Sequence, residues 1–331
     1  MLGLSITGGL WFKSAQERRW KWQPIMMPEH LARVTDAWPV ATLAERLQKT
    51  KKIRDAPTFL EAAQQVGLTK VAPGAYILPK MAGPLELAKV FKAPPPLIKV
   101  TFPEGWTGHQ MAHRLAANKF VAAHDFARLV YPPRHPISPW EGQLFPDTYY
   151  LPQRGTAQQL FGRLHDRYRE VLSKLPRPFP TNAGHPLTAQ EVTTLASLVE
   201  RETDVAEERP LIAGVLYHRL QIHMPLQCDA SVQYAMELAA ANGVPGAVGH
   251  KNRVLWRDLK IQSPYNTYLN KGLPPGPICN PSEASLRAAA HPRNTDYVFY
   301  VMSSKLGHHR FAKTFAEHEQ NIKLAHAEQA Q

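Results

Sequence analysis

Two carboxylates two residues apart, Glu200 and Glu202, are the side chains best suited by type and spacing to proton transfer. They close a helix with a well-marked start: Thr188 followed three residues later by Glu191 is a capping box ahead of an apolar-periodic run. At about 100° per residue, Val192, Leu195, Ala196, Leu198 and Val199 form one apolar sector, and Glu202 falls in angle between Leu195 and Leu198. Glu200 projects with Thr193, Ala196 and Ser197 toward the edge of that stripe. A carboxyl set in apolar surroundings is disfavoured in its charged form, so its pKa rises toward the range of a general acid. Glu202 is therefore the candidate acid. Periodicity is also compatible with a frayed helix end whose two glutamates are solvated or paired with Arg201 and Arg209.

The strings L-A-S-L-V-E-R-E-T (195–203), R-L-Q-I-H-M-P-L-Q-C-D (219–229), Y-N-T-Y (265–268), G-L-P-P-G-P-I (272–278) and A-A-A-H-P (288–292) follow one another in the chain. In that order they resemble the YceG-like (MltG) family of endolytic murein transglycosylases, as does E-G-Q-L-F-P-D-T-Y at 141–149. The resemblance implies that Glu202, the second acid of E-R-E-T, is the catalytic glutamate. It would protonate the glycosidic oxygen between N-acetylmuramic acid and N-acetylglucosamine. It would then act as base toward the C6 hydroxyl, leaving a 1,6-anhydro end without consuming water. Glu200 would support that geometry. One acid suffices here, whereas ordinary glycosidases use a carboxylate pair. The resemblance also implies peptidoglycan glycan strands as substrate, no cofactor and no metal. It implies the cell-wall synthesis machinery at the membrane as partner, and a single anchor in the inner membrane with a periplasmic catalytic part.

The other motifs supply candidate substrate-binding residues: Gln227, Asp229, Tyr265, Asn266, Thr267, Tyr268, Gly272 and Pro274. Gln227 and Asp229 fall in a turn from which short polar side chains reach a sugar; alternatively Asp229 caps a helix over 230–239. Asn266 both donates and accepts, which suits an N-acetyl group. Glycines let a backbone approach a ligand and prolines hold the loop without ordering cost, although a purely structural loop has the same composition. In 141–149 the aromatics stack on sugar rings and Glu141 and Asp147 bond hydroxyls, or else Phe145 and Tyr149 are core. Arg219 meets a carboxylate or substrate acid, or is an ordinary surface arginine.

Composition bounds the alternatives. A chain of 331 residues suggests two domains, and 44% apolar with 20% charged residues is globular. With 39 Lys plus Arg against 27 Asp plus Glu, the net charge of +12 favours a polyanionic partner: nucleic acid, an anionic bilayer surface or an acidic polymer. Lys and Arg are spread over both domains instead of being interleaved with aromatics along one face, so no nucleic-acid partner is expected. A decayed, purely glycan-binding scaffold would have lost Glu202. Cys228 and Cys279 cannot form a disulfide framework or a four-cysteine metal site; they pair with each other or are two small buried thiols. The histidines, His308, His309 and His318 among them, accompany no H-E-x-x-H. No G-x-S-x-G, Walker loop or dinucleotide fingerprint is present, and nothing resembles a pyridoxal-phosphate lysine site.

The expected fold class is α+β: a small LysM-like α+β subdomain followed by a larger mixed α+β catalytic domain. Residues 1–22 read as a truncated membrane anchor and linker, or else as a short interfacial segment flanked by basic residues and by Trp11, Trp20 and Trp22, since a run of 12 uncharged residues, too short to span a bilayer, precedes Lys13, Arg18, Arg19 and Lys21. Residues 23–93 read as the LysM-like subdomain. It has a helix around Leu43 and Leu47, a second capped by Asp55 with Pro57, a strand at 74–78, and a helix opened by Pro84. The prolines at 94–96 mark the boundary to a catalytic domain over 94–331. There the expectations are a strand at 98–102, helices at 109–129, 158–172, 211–220 and 283–290, a surface insertion at 243–254, a buried strand at 297–302 and a closing helix at 311–325.

Overall fold

The computed structural model describes residues 20–329, apart from 28–30, 35, 73, 95–96, 121, 133–137, 154–155, 242, 245–248, 250 and 252. Most of the expected anchor (1–19), the end of the proline linker and much of the expected 243–254 insertion lie outside the described residues. No helix among the described residues is long and apolar enough to cross a membrane. The chain divides into two compact units, Met1–Thr101 with Thr148–Gly155, and Phe102–Asp147 with Thr156–Gln331. Both mix helices with small antiparallel sheets, so the fold class is α+β.

The first unit runs β1 (Ile25–Met26), β2 (Leu31–Val34), β3 (Trp38–Pro39), α1 (Val40–Lys49), α2 (Ala56–Gln65), β4 (Lys70–Val71), β5 (Gly74–Ile77), β6 (Met81–Ala82), α3 (Pro84–Lys92), β7 (Leu97–Thr101) and β8 (Thr148–Pro152). Asp55 caps α2 by accepting from the Thr58 N–H at 3.2 Å. Pro84 opens α3, and Glu86 reaches back to the Gly83 N–H at 2.9 Å. The core is Leu43, Leu47, Phe59, Tyr76, Leu87 and Phe91, with Phe59 edge-on to Phe91. The main sheet has the order β2-β5-β7-β8, all antiparallel. The unit therefore continues past the linker expected at 94. Strand β7 pairs with β5 at Ala75–Leu97 and with β8 from Leu97–Pro152 to Thr101–Thr148, so the chain returns to this sheet after an excursion.

The second unit holds α4 (Gly108–Ala117), α5 (Ala123–Val130), α6 (Ala157–Ser173), β9 (Thr181–Asn182), β10 (His185–Pro186), α7 (Ala189–Glu202), α8 (Arg209–Gln221), α9 (Asp229–Ala241), α10 (Glu283–Ala290), β11 (Phe299–Ser303), β12 (His308–Ala312) and α11 (Phe315–Gln329). The helix expected over 109–129 is two helices, because the chain turns at Asn118 and Lys119, the latter at φ 57°. Phe311 lies on strand β12, so the last helix starts later than expected. Strand β11 is only half-buried, and Met302 is exposed.

Helix α7 is the axis of this unit. Every residue from Val192 to Glu200 is buried, against α8, α9 and α10. Its hydroxyls are satisfied internally: Thr193 and Thr194 donate to the carbonyls of Ala189 and Gln190 at 2.8 Å. Ser197 accepts the Ile278 N–H at 3.0 Å and so pins the 272–278 loop to the helix. Gly142, at φ +81°, lets the 141–145 segment lie on that loop; a Cβ there would stand 2.4 Å from Pro277. Phe145 is core. Glu141 is fully buried beneath this contact. It accepts from the Tyr131 hydroxyl, from the Gly108 N–H at 3.0 Å and from the Asn280 amide at 2.9 Å. It is thus a knot of the scaffold and is not free to bond a sugar hydroxyl.

Candidate active site

Glu202 is the last residue of α7, half-buried, where the helix gives way to extended Thr203. Its Oε2 accepts from the Tyr300 hydroxyl of β11 at 2.9 Å. Protein surrounds the carboxyl closely enough that desolvation pushes its pKa up to about 7. The negative charge of Asp229 adds to the rise, while the Tyr300 hydroxyl, the Cys228 thiol and the Arg219 charge oppose it. A carboxyl in that range exchanges a proton readily near neutral pH in either direction.

The groups around it are held by a frame that Arg219 and Thr267 build. Arg219, buried in α8, donates through Nε to the Val298 carbonyl at 2.6 Å and through a guanidinium nitrogen to the carbonyls of Pro225 and Leu226 at 3.2 and 2.7 Å. It clamps the turn before Asp229 to the start of the β11 region. It is thus a buried clamp and not a surface arginine, although its charge is felt at Glu202. Thr267, also buried, accepts the Cys228 N–H at 3.0 Å and shares a bond with the Ser231 hydroxyl at 2.8 Å. Its carbonyl takes the Gln227 N–H at 3.1 Å. Gln227 itself is exposed at φ 52°. Asp229 is exposed and is the first residue of α9 instead of the residue preceding it, and it accepts from the Tyr268 hydroxyl at 2.6 Å.

The sequence pattern of the YceG-like family matches residues 33–324. The chain belongs to the YceG-like family. An endolytic murein transglycosylase of Bacillus subtilis is 38% identical to it over 189 residues, 56% of this chain and 47% of that protein. One of Streptococcus pneumoniae is 29% identical over 321 residues, 86% of this chain and 56% of that protein. The chain therefore spans about half the length of these relatives. A crystal structure of a YceG-like protein from Listeria monocytogenes superposes with a TM-score of 0.56 at 27% identity, covering 90% of this chain and 98% of that one.

Within this YceG-like chain the expected residues separate into two groups. Glu202, Asp229 and Tyr268 come together, with Gln227 exposed on the adjoining turn. Tyr265, Asn266 and Thr267 are buried and shape the loop. The Asn266 amide donates to the carbonyls of Leu259 and Ile261 at 2.9 Å and accepts the Tyr268 N–H at 3.0 Å, which leaves its amide engaged at both ends. Its expected contact with an N-acetyl group gives way to a structural role. Tyr265 packs its ring on Tyr234 at 4.9 Å. Gly272, at φ +85°, has open space where a Cβ would be, and Pro274 is buried. Glu200 is turned away from the site. It accepts the Ser282 N–H at 2.9 Å and the Ser282 hydroxyl at 2.5 Å, at the N-terminus of α10, and lies 3.7 Å from Arg209.

Tyr300 and the thiol of Cys228 were not legible beforehand as neighbours of Glu202. Both cysteines are buried and unbridged. Among the described residues no group of three His, Cys, Asp or Glu side chains could hold a metal. Elsewhere in this unit a cavity of about 280 Å³ is lined by Pro178, Tyr217, His218, His291 and Arg293, with no carboxylate among its lining residues.

Proposed function

We propose that this chain is an endolytic peptidoglycan lytic transglycosylase that cleaves the MurNAc–GlcNAc bond within glycan strands, with Glu202 as general acid and then base. The observation that carries the reading is a carboxyl held near pKa 7 by desolvation at the end of the central helix, inside the E-R-E-T string. The names of the B. subtilis and S. pneumoniae relatives support the substrate class. Neutral Glu202 gives its proton to the glycosidic oxygen as the bond breaks, and oxocarbenium-like charge develops on the muramyl ring. The ionised carboxylate then takes the C6 hydroxyl proton as that oxygen closes on C1. Asp229, exposed beside Glu202, places negative charge where it favours the cationic sugar. Glu200 contributes by fixing α7 to α10.

In the same reading the first unit binds glycan and the second cleaves it. The strands are nascent ones, the partner is the cell-wall synthesis machinery, and the protein works at the outer face of the inner membrane.

The test is product analysis on purified sacculi. Wild-type protein should release 1,6-anhydromuramyl ends, and Glu202→Gln, which keeps shape but carries no transferable proton, should lose them by about 10²- to 10⁴-fold or more. Reducing ends in place of anhydro ends would mean that water attacks, with Asp229 as its base, and that the enzyme is a hydrolase.

A further inference from the structure

Behind Glu202 lies a closed circuit of side chains that the reaction as described does not use. Tyr300 donates to Glu202 Oε2 at 2.9 Å. The Tyr300 ring is met edge-on by His309, with centroids 5.4 Å apart and planes at 89°, and on its flank by Phe311 at 6.2 Å. His309 is buried and held at two points: its main-chain N–H donates to Glu208 Oε1 at 2.6 Å, and its Nδ1 lies 2.7 Å from Glu208 Oε2. Glu208 also accepts from the Thr203 hydroxyl at 3.2 Å, and Thr203 directly follows Glu202. The circuit thus returns to its start. The hairpin register sets Tyr300 opposite Phe311, and Arg219 fixes the chain two residues before Tyr300 through the Val298 carbonyl.

We propose that Tyr300 is a positioning residue: by donating to Oε2 it fixes the rotation of the Glu202 carboxyl and leaves Oε1 to carry the transferable proton, with the Glu208–His309 pair holding the tyrosine from behind. This rests on the reading of Glu202 as the acid. A hydroxyl donating to a carboxylate makes a stronger bond than one donating to the neutral acid. As Glu202 gives up its proton the Tyr300 bond therefore strengthens, and that gain is realised in the transition state and not in the ground state. The groups facing the carboxyl are Tyr300 from β11, Asp229 and Cys228 from the turn into α9, Arg219 from α8 and Tyr268 from the 265–268 loop. Of these, Tyr300 donates a hydroxyl to the carboxyl at 2.9 Å, and the thiol of Cys228, a weaker donor, also bonds it.

Two replacements at position 300 test this with opposite signs, using soluble glycan strands and anhydro-end formation as the assay. Tyr300→Phe keeps the ring against His309 and Phe311 but removes the donor. It should lower kcat by about 10- to 100-fold with little change in KM. It should also move the alkaline limb of the pH profile upward, because a bond that favours the ionised form is gone. Replacing Tyr300 by 3-fluorotyrosine keeps the fold and makes a stronger donor, so the limb should move downward. Unchanged limbs in both proteins, or a loss of rate with no shift, would overturn the proposal while Glu202→Gln remained inactive. If Glu202→Gln still formed anhydro ends, the assignment of the acid itself would fail, a result distinguishable from the first.

Discussion

Glu200 and Glu202 differ less in depth than in company. The wheel of α7 puts Glu202 in the apolar stripe and Glu200 at its edge, yet the helix is buried on all sides, and Glu200 is the less exposed of the two. The pattern selected Glu202 on a criterion that the surrounding helices erase, because periodicity reports one face and cannot register a helix enclosed by three others. What separates the residues is bonding. Glu200 is tied to Ser282 and Arg209, whereas Glu202 has Tyr300 on one oxygen and the Asp229 charge nearby. Glu200→Ala should therefore leave the Ser282 N–H and Arg209 without their carboxylate and cost about 2 kcal/mol in urea unfolding. Activity per folded molecule should stay within about tenfold of wild type. For Glu202 the consequence is a pH limb: with its pKa near 7, the protonated fraction and hence the initial cleavage rate should fall about tenfold per pH unit above that value.

The elements whose limits are written in local chemistry were legible. The capping box at Thr188–Glu191, the Asp55 cap and the Pro84 start all fall where expected, because a cap is satisfied within four residues. The hairpin β11–β12 was legible only in its first strand, and β8 not at all, since each owes its existence to pairing with a distant or later segment. The same limit hid Tyr300, 98 residues from its carboxylate partner. Gly214 illustrates a signal that was present but unread: a glycine within a helix costs about 1 kcal/mol relative to alanine, so it needs a reason. The reason is close passage of the chain after α10, for a Cβ on Gly214 would stand 2.0 Å from the Arg293 carbonyl oxygen, which is backbone and cannot swing aside. Gly214→Ala should therefore destabilise the protein by about 3 kcal/mol or more despite its better helix propensity, read as a lowered Tm.

At the scale of the molecule, length pointed to two units, but the prolines at 94–96 do not divide them: the first unit runs on to Thr101. The return of 148–152 to the first sheet was not legible, because a discontinuous unit leaves no composition shift at its second crossing. The second unit is knotted around Glu141, which gives the whole protein a measurable pH signature. Burial pushes the Glu141 pKa up from 4.5 to about 7, against the opposing bonds from Tyr131, Gly108, Gly142 and Asn280. Between those values the folded state keeps a proton that the unfolded state has released, so stability falls as pH rises through that window. The contribution is fully present below about pH 4.5 and is lost by about pH 7, an excursion of at most ~3.5 kcal/mol at about 1.4 kcal/mol per pKa unit. Other groups titrate alongside it. Glu202 slopes the same way, while His109 and His318, which burial holds below their ordinary value, gain stability as pH rises. Only a difference therefore isolates Glu141. Glu141→Gln keeps one acceptor for Gly108 and Asn280 and offers an amide to the Tyr131 oxygen, so the variant should fold. Urea unfolding of both proteins from pH 5 to pH 8 should show wild type losing stability relative to the variant as pH rises. A constant difference would mean that Glu141 is already ionised at pH 5, with its hydrogen bonds outweighing its burial.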